Sequence, residues 1–282
     1  MPPPAQLEAL DSLLWLGNGH QAAKITSQSQ PTISRWAHHL AKHLNLGLRK
    51  VWGEWYVNGN LAPLGQARES DQSSRFEGRK SMRLEAGAIS SRLLADSHPR
   101  AWILGRPDAI NQPRSLTLLR QRVVDAWLCT SAFDLPDDPG PDLTVIELFR
   151  APILLVASRQ HPLAGQSNLA PADLSRFPSV GLTANWYPKS ASQLKRYGLW
   201  RNPRHISHYR SQHWEGRTGD GHTLAYASPC MMALNPDLCP LDFDLQLEQS
   251  IALVVRQEHA DHPRIQELLD NIQRRVGLLR SR

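Results

Sequence analysis

Between Ser29 and Arg35 the chain reads Ser-Gln-Pro-Thr-Ile-Ser-Arg, a run of amide, hydroxyl and guanidinium groups around one proline and one isoleucine. These groups match the edges of base pairs. Gln bonds adenine through two hydrogen bonds, Arg bonds guanine, and a Thr methyl meets the thymine methyl. Ser and a helix N-terminus hold phosphate. At helical spacing Gln30, Thr32, Ser34, Arg35 and His39 lie opposite Ile33, Ala37, Leu40 and Leu44, with Pro31 in the first turn, where its missing N–H costs nothing. Ser29 is a natural N-cap for this helix, and Asn45-Leu46-Gly47 ends it.

A polar face of this kind needs a scaffold, and the preceding residues supply one. Leu7, Leu10, Leu13 and Leu14 recur at helical spacing, and Trp15 and Leu16 extend the apolar patch to the helix stop Gly17-Asn18-Gly19. A short second helix is expected around His20 to Ile25, with Ala22 and Ala23 small enough for close helix approach. Two short helices joined by a polar turn form a helix-turn-helix pattern. From Leu48 to Asn60, Trp52, Trp55, Tyr56 and Val57 with turn signals at Gly53-Glu54 and Asn58-Gly59-Asn60 predict a strand pair, the wing. A small helical bundle with a solvated polar face fits the same pattern. Charge favours an anionic partner: from Ser12 to Gly53 there is no Asp or Glu, while Lys24, Arg35, Lys42, Arg49 and Lys50 occur with four histidines, in a chain of formal net charge +6.

The remainder reads as α/β. Met82 to Ala86, Ala101 to Leu104, Ala126 to Cys129, Ile153 to Ala157, Gly181 to Tyr187, Thr223 to Ala227 and Ile251 to Val255 are strand candidates. Ile89 to Ala95 and the Leu116, Leu119, Val123, Val124 face are helix candidates. Short apolar strands alternating with helices predict parallel sheet layers. Pro263 to Leu279 carries the stripe Ile265, Leu268, Leu269, Ile272 and Val276, a packing face for a terminal helix.

The run Gly17-Asn18-Gly19-His20-Gln21-Ala22-Ala23, a five-residue gap, and then Ser29-Gln30-Pro31-Thr32-Ile33-Ser34-Arg35 resembles the N-terminal winged helix of LysR-type transcriptional regulators. Leu61-Ala62-Pro63-Leu64-Gly65 is similar to the element that ends the wing and opens the family's linker helix. Leu148 through Val156 to His161-Pro162-Leu163-Ala164 resembles the family's strand followed by His-Pro-Leu-Ala. Departures include Thr26 where the family has Leu, two wing tryptophans, and a short linker from Gly65 to about Lys80 with few apolar residues at helical spacing.

The resemblance implies an α/β protein with an all-α, winged N-terminal module: a winged helix-turn-helix followed by a two-lobed, periplasmic-binding-protein-like effector domain. It implies a DNA-binding domain over 1–63, a linker over 64–80 and an effector domain over 81–282. Lobe I would take 81–150 with 259–282, and lobe II 151–258. The implied partners are double-stranded DNA, a small-molecule effector, and a second copy of the chain in a homodimer or homotetramer, because family linker helices pair with a partner chain. Ligands in α/β sheets sit beyond strand ends, which makes Ser90, Ser91, Thr130, Ser131, Thr183 and Asn185 the effector-site candidates.

Other chemistry is not expected. His38, His39 and His43, and the second group His205, His208 and His213, lack the spacing and second shell of a zinc site, so no metal and no cofactor are predicted. Three cysteines, Cys129, Cys230 and Cys239, fit reduced thiols in a cytoplasmic protein better than a disulfide framework or a redox pair. The sequence has no Gly-x-Ser-x-Gly elbow, Walker loop or dinucleotide fingerprint, which argues against an enzyme. Met1-Pro2-Pro3-Pro4 is not read as a secretory signal, and the longest apolar run, Ala151 to Ala157, is far short of a membrane span. Two readings besides the regulator stay open: a family member that acts as a ligand-binding or interaction module without reading DNA, and an enzyme on an α/β scaffold.

Overall fold

The structure is a computed structural model that describes residues 2–87, 90–91, 94, 100–106, 112–181, 184–201, 220–229, 232 and 235–280. Three helices open the chain: α1 (Pro4–Leu16), α2 (Gly19–Thr26) and α3 (Gln30–His43). Gly17 closes α1 in the left-handed region at φ 65°, which only glycine adopts freely, and its N–H donates to the Leu13 carbonyl at 3.0 Å. The Asn18 side chain caps α2 by accepting from the His20 N–H at 2.8 Å. Gly19 allows α2 to approach α3, since a Cβ there would lie 3.0 Å from the Gln30 side chain. The Ser29 hydroxyl caps α3 by accepting from the Thr32 N–H, and Ile33, Ala37, Leu40 and Ala41 form its buried face. Leu44 takes the cap position and is only half-buried. Then β1 (Gly47–Val51) pairs antiparallel with β2 (Glu54–Asn58) through a two-residue turn at Trp52-Gly53, as the wing reading expects.

The following helix α4 (Ala62–Phe76) leads to β3 (Met82–Ala86), β4 (Trp102–Leu104), α5 (Gln112–Arg120), β5 (Ala126–Cys129), β6 (Leu143–Pro152), β7 (Leu154–Ser158), α6 (Pro171–Leu174), α7 (Pro188–Arg196), β8 (Ala225–Ala227), β9 (Leu238–Pro240), β10 (Glu248–Arg256) and α8 (Pro263–Arg280). One sheet has the order β4-β3-β5-β10-β6 and the other β8-β7-β9. Among the strands of the described residues, parallel pairing occurs in β4-β3-β5, with one isolated parallel bridge at Ser179 and Leu224; β10 runs antiparallel to β5 and β6, and the three-stranded sheet is antiparallel. The expectation of parallel layers therefore holds for half of one sheet.

One sequence expectation is corrected by β10. It belongs to the first sheet, paired over nine residues with β6, so the second lobe ends near Leu247 and not at 258. The chain leaves and re-enters lobe I side by side, with the Ile153 N–H donating to the Leu247 carbonyl at 2.8 Å. Among the other expected elements, the helix bearing Leu116 and Leu119 stops at Arg120, and Arg122 at φ 60° turns the chain so that Val123 and Val124 enter the core as extended residues before β5. In place of a strand at 181–187 there is a 3-10 turn at Ala184–Trp186, while residues 182–183 lie outside the described residues. On α8, Ile265, Leu268, Leu269 and Ile272 pack on one face of the large sheet with Leu84, Ala126, Leu128 and Leu253.

The opposite face of that sheet carries Trp127, Cys129 and Val254, and their apolar core runs without a break through Leu118 and Leu119 into Leu10, Leu13, Leu14 and Trp15 of α1. The winged helix thus sits directly on lobe I of its own chain. Helix α4 joins them with its buried side, Leu64, Ala67, Arg68, Gln72, Arg75 and Phe76. Arg68 pairs with Asp11 of α1 at 2.7 Å, and Arg75 pairs with Asp125, the residue before β5, at 2.8 Å. Asp125 also accepts from Gln72 at 3.1 Å and from the Arg83 backbone N–H at 2.8 Å. The buried side of α4 is spent within its own chain, on α1 at Leu64, Ala67 and Arg68 and on lobe I at Gln72 and Arg75.

Candidate nucleic-acid interface

The capped start of α3 turns its polar residues outward. Pro31, Arg35 and His39 are exposed, and Gln30, Thr32 and Ser34 are half-buried. The hydroxyls of Ser29 and Thr32 lie 2.8 Å apart, and Arg35 Nη2 donates to the Thr32 hydroxyl at 3.4 Å. Pro31, Arg35 and His39 are the exposed ones of the six predicted base-facing residues, Gln30, Thr32 and Ser34 flank them, and none of the six is acidic. His38 Nδ1 lies 2.8 Å from the Ser34 carbonyl and its ring meets Trp55 of β2 edge-on, with centroids 5.7 Å apart, which fixes the wing against the helix.

The flanking elements continue the same character. His20, Gln21 and Lys24 of α2 and Arg49 and Lys50 of β1 are exposed. The first carboxylate after the acid-free stretch, Glu54, is buried and held by cations: Arg106 Nη2 at 3.2 Å and Arg114 Nε at 3.7 Å, with the Tyr56 hydroxyl donating at 2.8 Å. The exposed field of this face is therefore positive. Such a surface suits a polyanion, and the amide, hydroxyl and guanidinium tips suit base edges.

The effector-site candidates are partly dispersed. The Ser90 hydroxyl donates to the Gly87 carbonyl at 3.2 Å and the Ser91 hydroxyl to the Ala86 carbonyl at 2.9 Å, so both close the turn that follows β3. Thr130 and Ser131 follow β5, and the Ser131 carbonyl accepts from Gln112 Nε2 at 3.4 Å, at the first turn of α5. Asn185 is exposed in the 3-10 turn, and Thr183 lies outside the described residues. Sequence reasoning missed the group that ties the two lobes together: buried Asp134 accepts from the Ser190 N–H at 2.9 Å and from its hydroxyl at 2.6 Å, at the start of α7. Burial raises the Asp134 carboxyl above its ordinary range, against the pull of those Ser190 bonds. The only sequence signal for it is the helix start Pro188-Lys189-Ser190.

His161, in the His-Pro-Leu-Ala segment, has a structural role. Its Nδ1 accepts from the Leu163 N–H at 3.1 Å, and its Nε2 lies 3.2 Å from the His222 carbonyl, an arrangement of the neutral ring. Burial lowers its pKa accordingly. Cys129 is fully buried and its thiol is pushed up to about 12 by desolvation, while Cys239 lies 3.7 Å from the Ser158 carbonyl; Cys230 lies outside the described residues. Among the described residues no three His, Cys, Asp or Glu side chains gather closely enough to hold a metal, and the group at His205, His208 and His213 is outside them. No helix among the described residues is long and apolar enough to cross a membrane.

Comparison with known proteins agrees with this architecture. The LysR substrate binding domain family matches residues 108–277. Among solved structures, ArgP from Mycobacterium tuberculosis is similar at 17% identity and TM-score 0.57, over 98% of this chain and 97% of that one. A probable transcriptional regulator from Pseudomonas aeruginosa is similar at 16% identity and TM-score 0.57, over 95% of each chain. Full-length CbnR, solved in complex with its target DNA, is similar at 15% identity and TM-score 0.51, over 97% of this chain and 99% of that one. No curated protein sequence matches significantly. With a winged helix-turn-helix, a two-lobed α/β domain and the family's own domain profile over more than half of its length, the chain belongs to the LysR-type family of transcription regulators.

Proposed function

We propose that this chain reads double-stranded DNA with the outward face of α3 and answers to a small effector held by its C-terminal domain. Gln30, Thr32, Ser34, Arg35 and His39 address base edges in the major groove, and Pro31 shapes the helix start that approaches a phosphate. The observation that carries this reading is the exposure of Arg35 and His39 beside the half-buried Gln30, Thr32 and Ser34 on the capped helix, in an acid-free stretch whose first following carboxylate, Glu54, is buried against Arg106 and Arg114. The division into a DNA-binding domain over 1–63, a linker over 64–80 and an effector domain from 81 onward belongs to this proposal, with lobe II ending near Leu247.

Effector closure between the lobes shifts an equilibrium between pre-existing arrangements. Ser90, Ser91, Thr130, Ser131, Thr183 and Asn185 remain the proposed contacts. A homodimer or homotetramer matches a two-fold operator, and its pairing surface lies away from the buried side of α4, which lobe I already covers. The protein works in the cytoplasm and not as an enzyme. The test is retardation of the duplex upstream of its own coding region: binding is expected to fall steeply between about 50 and 200 mM salt. Weak binding of equal strength to every duplex, insensitive to salt, contradicts the reading.

A further inference from the structure

Lobe I reaches into lobe II through one short segment. After β5, a 3-10 turn at Ala132–Asp134 is closed by the Asp134 N–H donating to the Ser131 carbonyl at 3.0 Å and the Leu135 N–H to the Ala132 carbonyl at 3.1 Å. Its side chains divide between two bodies. Ala132 and Leu135 pack in the core that lobe I shares with the winged helix. Phe133 packs against the core of lobe II, which is otherwise built from residues 153–247. Buried Asp134 meets the start of α7, where its two oxygens accept from the Ser190 N–H at 2.9 Å and from the Ser190 hydroxyl at 2.6 Å. Asp137 then pairs with Lys189 at 2.5 Å, and Lys189 Nζ lies 6.0 Å from the Phe133 ring centroid.

These contacts serve the joint between the lobes. The first N–H groups of a helix have no partner within it, and Tyr187, at the cap position of α7, makes no capping bond. Asp134 supplies that bond from the other lobe and brings its charge to the positive end of the helix. Burial disfavours a carboxylate and raises the Asp134 carboxyl above its ordinary range. A buried ionisable group of this kind adds little stability, but with both oxygens turned to Ser190 it is satisfied in one arrangement of the lobes. The connecting strands meet where the Ile153 N–H donates to the Leu247 carbonyl, and a hinge of two strands alone leaves the lobes free to swing. The segment at 133–137 is a second tie, formed wholly within the chain.

We propose that segment 133–137 is a latch by which lobe I holds lobe II shut when no effector is bound. The closed arrangement is then the resting one, and the latch sets the balance that an effector shifts. Because Ala132 and Leu135 lie in the core that includes α1, the latch also joins lobe II to the body that carries α3. The proposal deepens the effector-domain reading given above and rests on it.

The experiment measures the distance between the lobes in the full-length protein, with neither duplex nor effector added. Spin labels are placed at Lys195→Cys on α7 and Glu267→Cys on α8, both exposed positions, after Cys129, Cys230 and Cys239 are changed to alanine. Labelled chains are diluted with unlabelled ones, so that only distances within one chain are read. The intact latch is expected to give one narrow distribution, and Asp134→Ala a broader one centred at longer distance. Should Asp134→Ala lower the melting temperature, Asp134→Asn decides, because its amide still accepts from the Ser190 N–H and donates to the hydroxyl. Distances equal to those of the intact latch support the proposal, and distances as long as those of Asp134→Ala overturn it. An unchanged distribution in Asp134→Ala, or an intact latch that already spreads over both distances, also overturns it. Either failure leaves the regulator reading standing, since that reading fails separately, when the wild-type protein enriches no duplex from a random pool.

Discussion

On α3, Arg35 stands exposed and donates to the Thr32 hydroxyl; on α4, Arg68 and Arg75 are 2% and 1% exposed and each grips a carboxylate. Both helices present a face on which polar residues recur at helical spacing. The outward face of α3 has no acid near it and keeps its donors for another molecule. The inward face of α4 meets Asp11 and Asp125 and spends its guanidinium and amide donors inside the chain. The same residue type therefore marks a binding surface or an internal weld, and what separates them is the presence of a buried carboxylate partner.

The welds reach both parts of the winged helix. Trp15 Nε1 of α1 donates to Glu85 of β3 at 2.6 Å, Arg114 donates to the Trp15 carbonyl at 2.7 Å and to the Leu14 carbonyl, and Arg106 holds Glu54 of the wing. Burial raises the Glu85 carboxyl pKa, with Arg114 and the Trp15 bond opposing it. Such buried pairs add little net stability relative to apolar packing, which here comes from the core shared by α1 and α5. Their effect is directional: each pair is satisfied only when the winged helix and lobe I adopt one mutual placement.

The largest expected effect breaks a weld. Asp125→Ala strips Arg75, Gln72 and the Arg83 N–H of their common buried acceptor and leaves the buried Arg75 with Asp71, which Lys80 also holds, as its remaining carboxylate. A loss of about 3–5 kcal/mol in denaturant unfolding is expected, and a loss under 1 kcal/mol would show that the junction does not depend on these charges. A smaller effect sharpens the contrast at the rim, where Arg122 joins Gln72 of α4 at 2.7 Å to Glu258. Hydrogen bonding to Arg122, with Arg256 adding to it, holds the Glu258 carboxyl down to about 2, below its ordinary value of 4.5. Because the folded value is the lower one, this pair's contribution is complete above about pH 4.5 and fades as pH falls toward 2. Glu258 is nearly half exposed, so the contribution is small. Glu258→Gln is expected to lower stability slightly at pH 7, where the contribution is complete, and to leave it unchanged near pH 2, so that the profile flattens between them; an unchanged acid limb contradicts the assignment.

The contrast also explains which parts of the fold were readable in advance. Helix α3 is written locally: its cap, its proline and its apolar face fall within fifteen residues of Ser29, so spacing alone placed Arg35 and His39 outward. Helix α4 has the same periodicity at 64, 67, 68, 72, 75 and 76, but three of those positions are Arg, Gln and Arg, and an apolar count passes over them. Their acceptors Asp11 and Asp125 lie 57 and 50 residues away in sequence, a distance at which no spacing rule operates. For the same reason the place of β10 in the first sheet is not legible from its neighbours in the chain, because strand pairing is chosen by sheet geometry. The lobe-tying contact of Asp134 with Ser190 spans 56 residues and was equally hidden.

Base preference is the most direct test of the claim that α3 keeps its donors for a duplex. Duplexes enriched from a random pool by the wild-type protein and by Arg35→Ala would be sequenced side by side, with melting temperatures recorded for both. Arg35 is exposed, so the fold should be unaffected, while preference at one base pair is expected to weaken by about 1–3 kcal/mol. Identical preferences for the two proteins, at equal melting temperatures, would contradict the account.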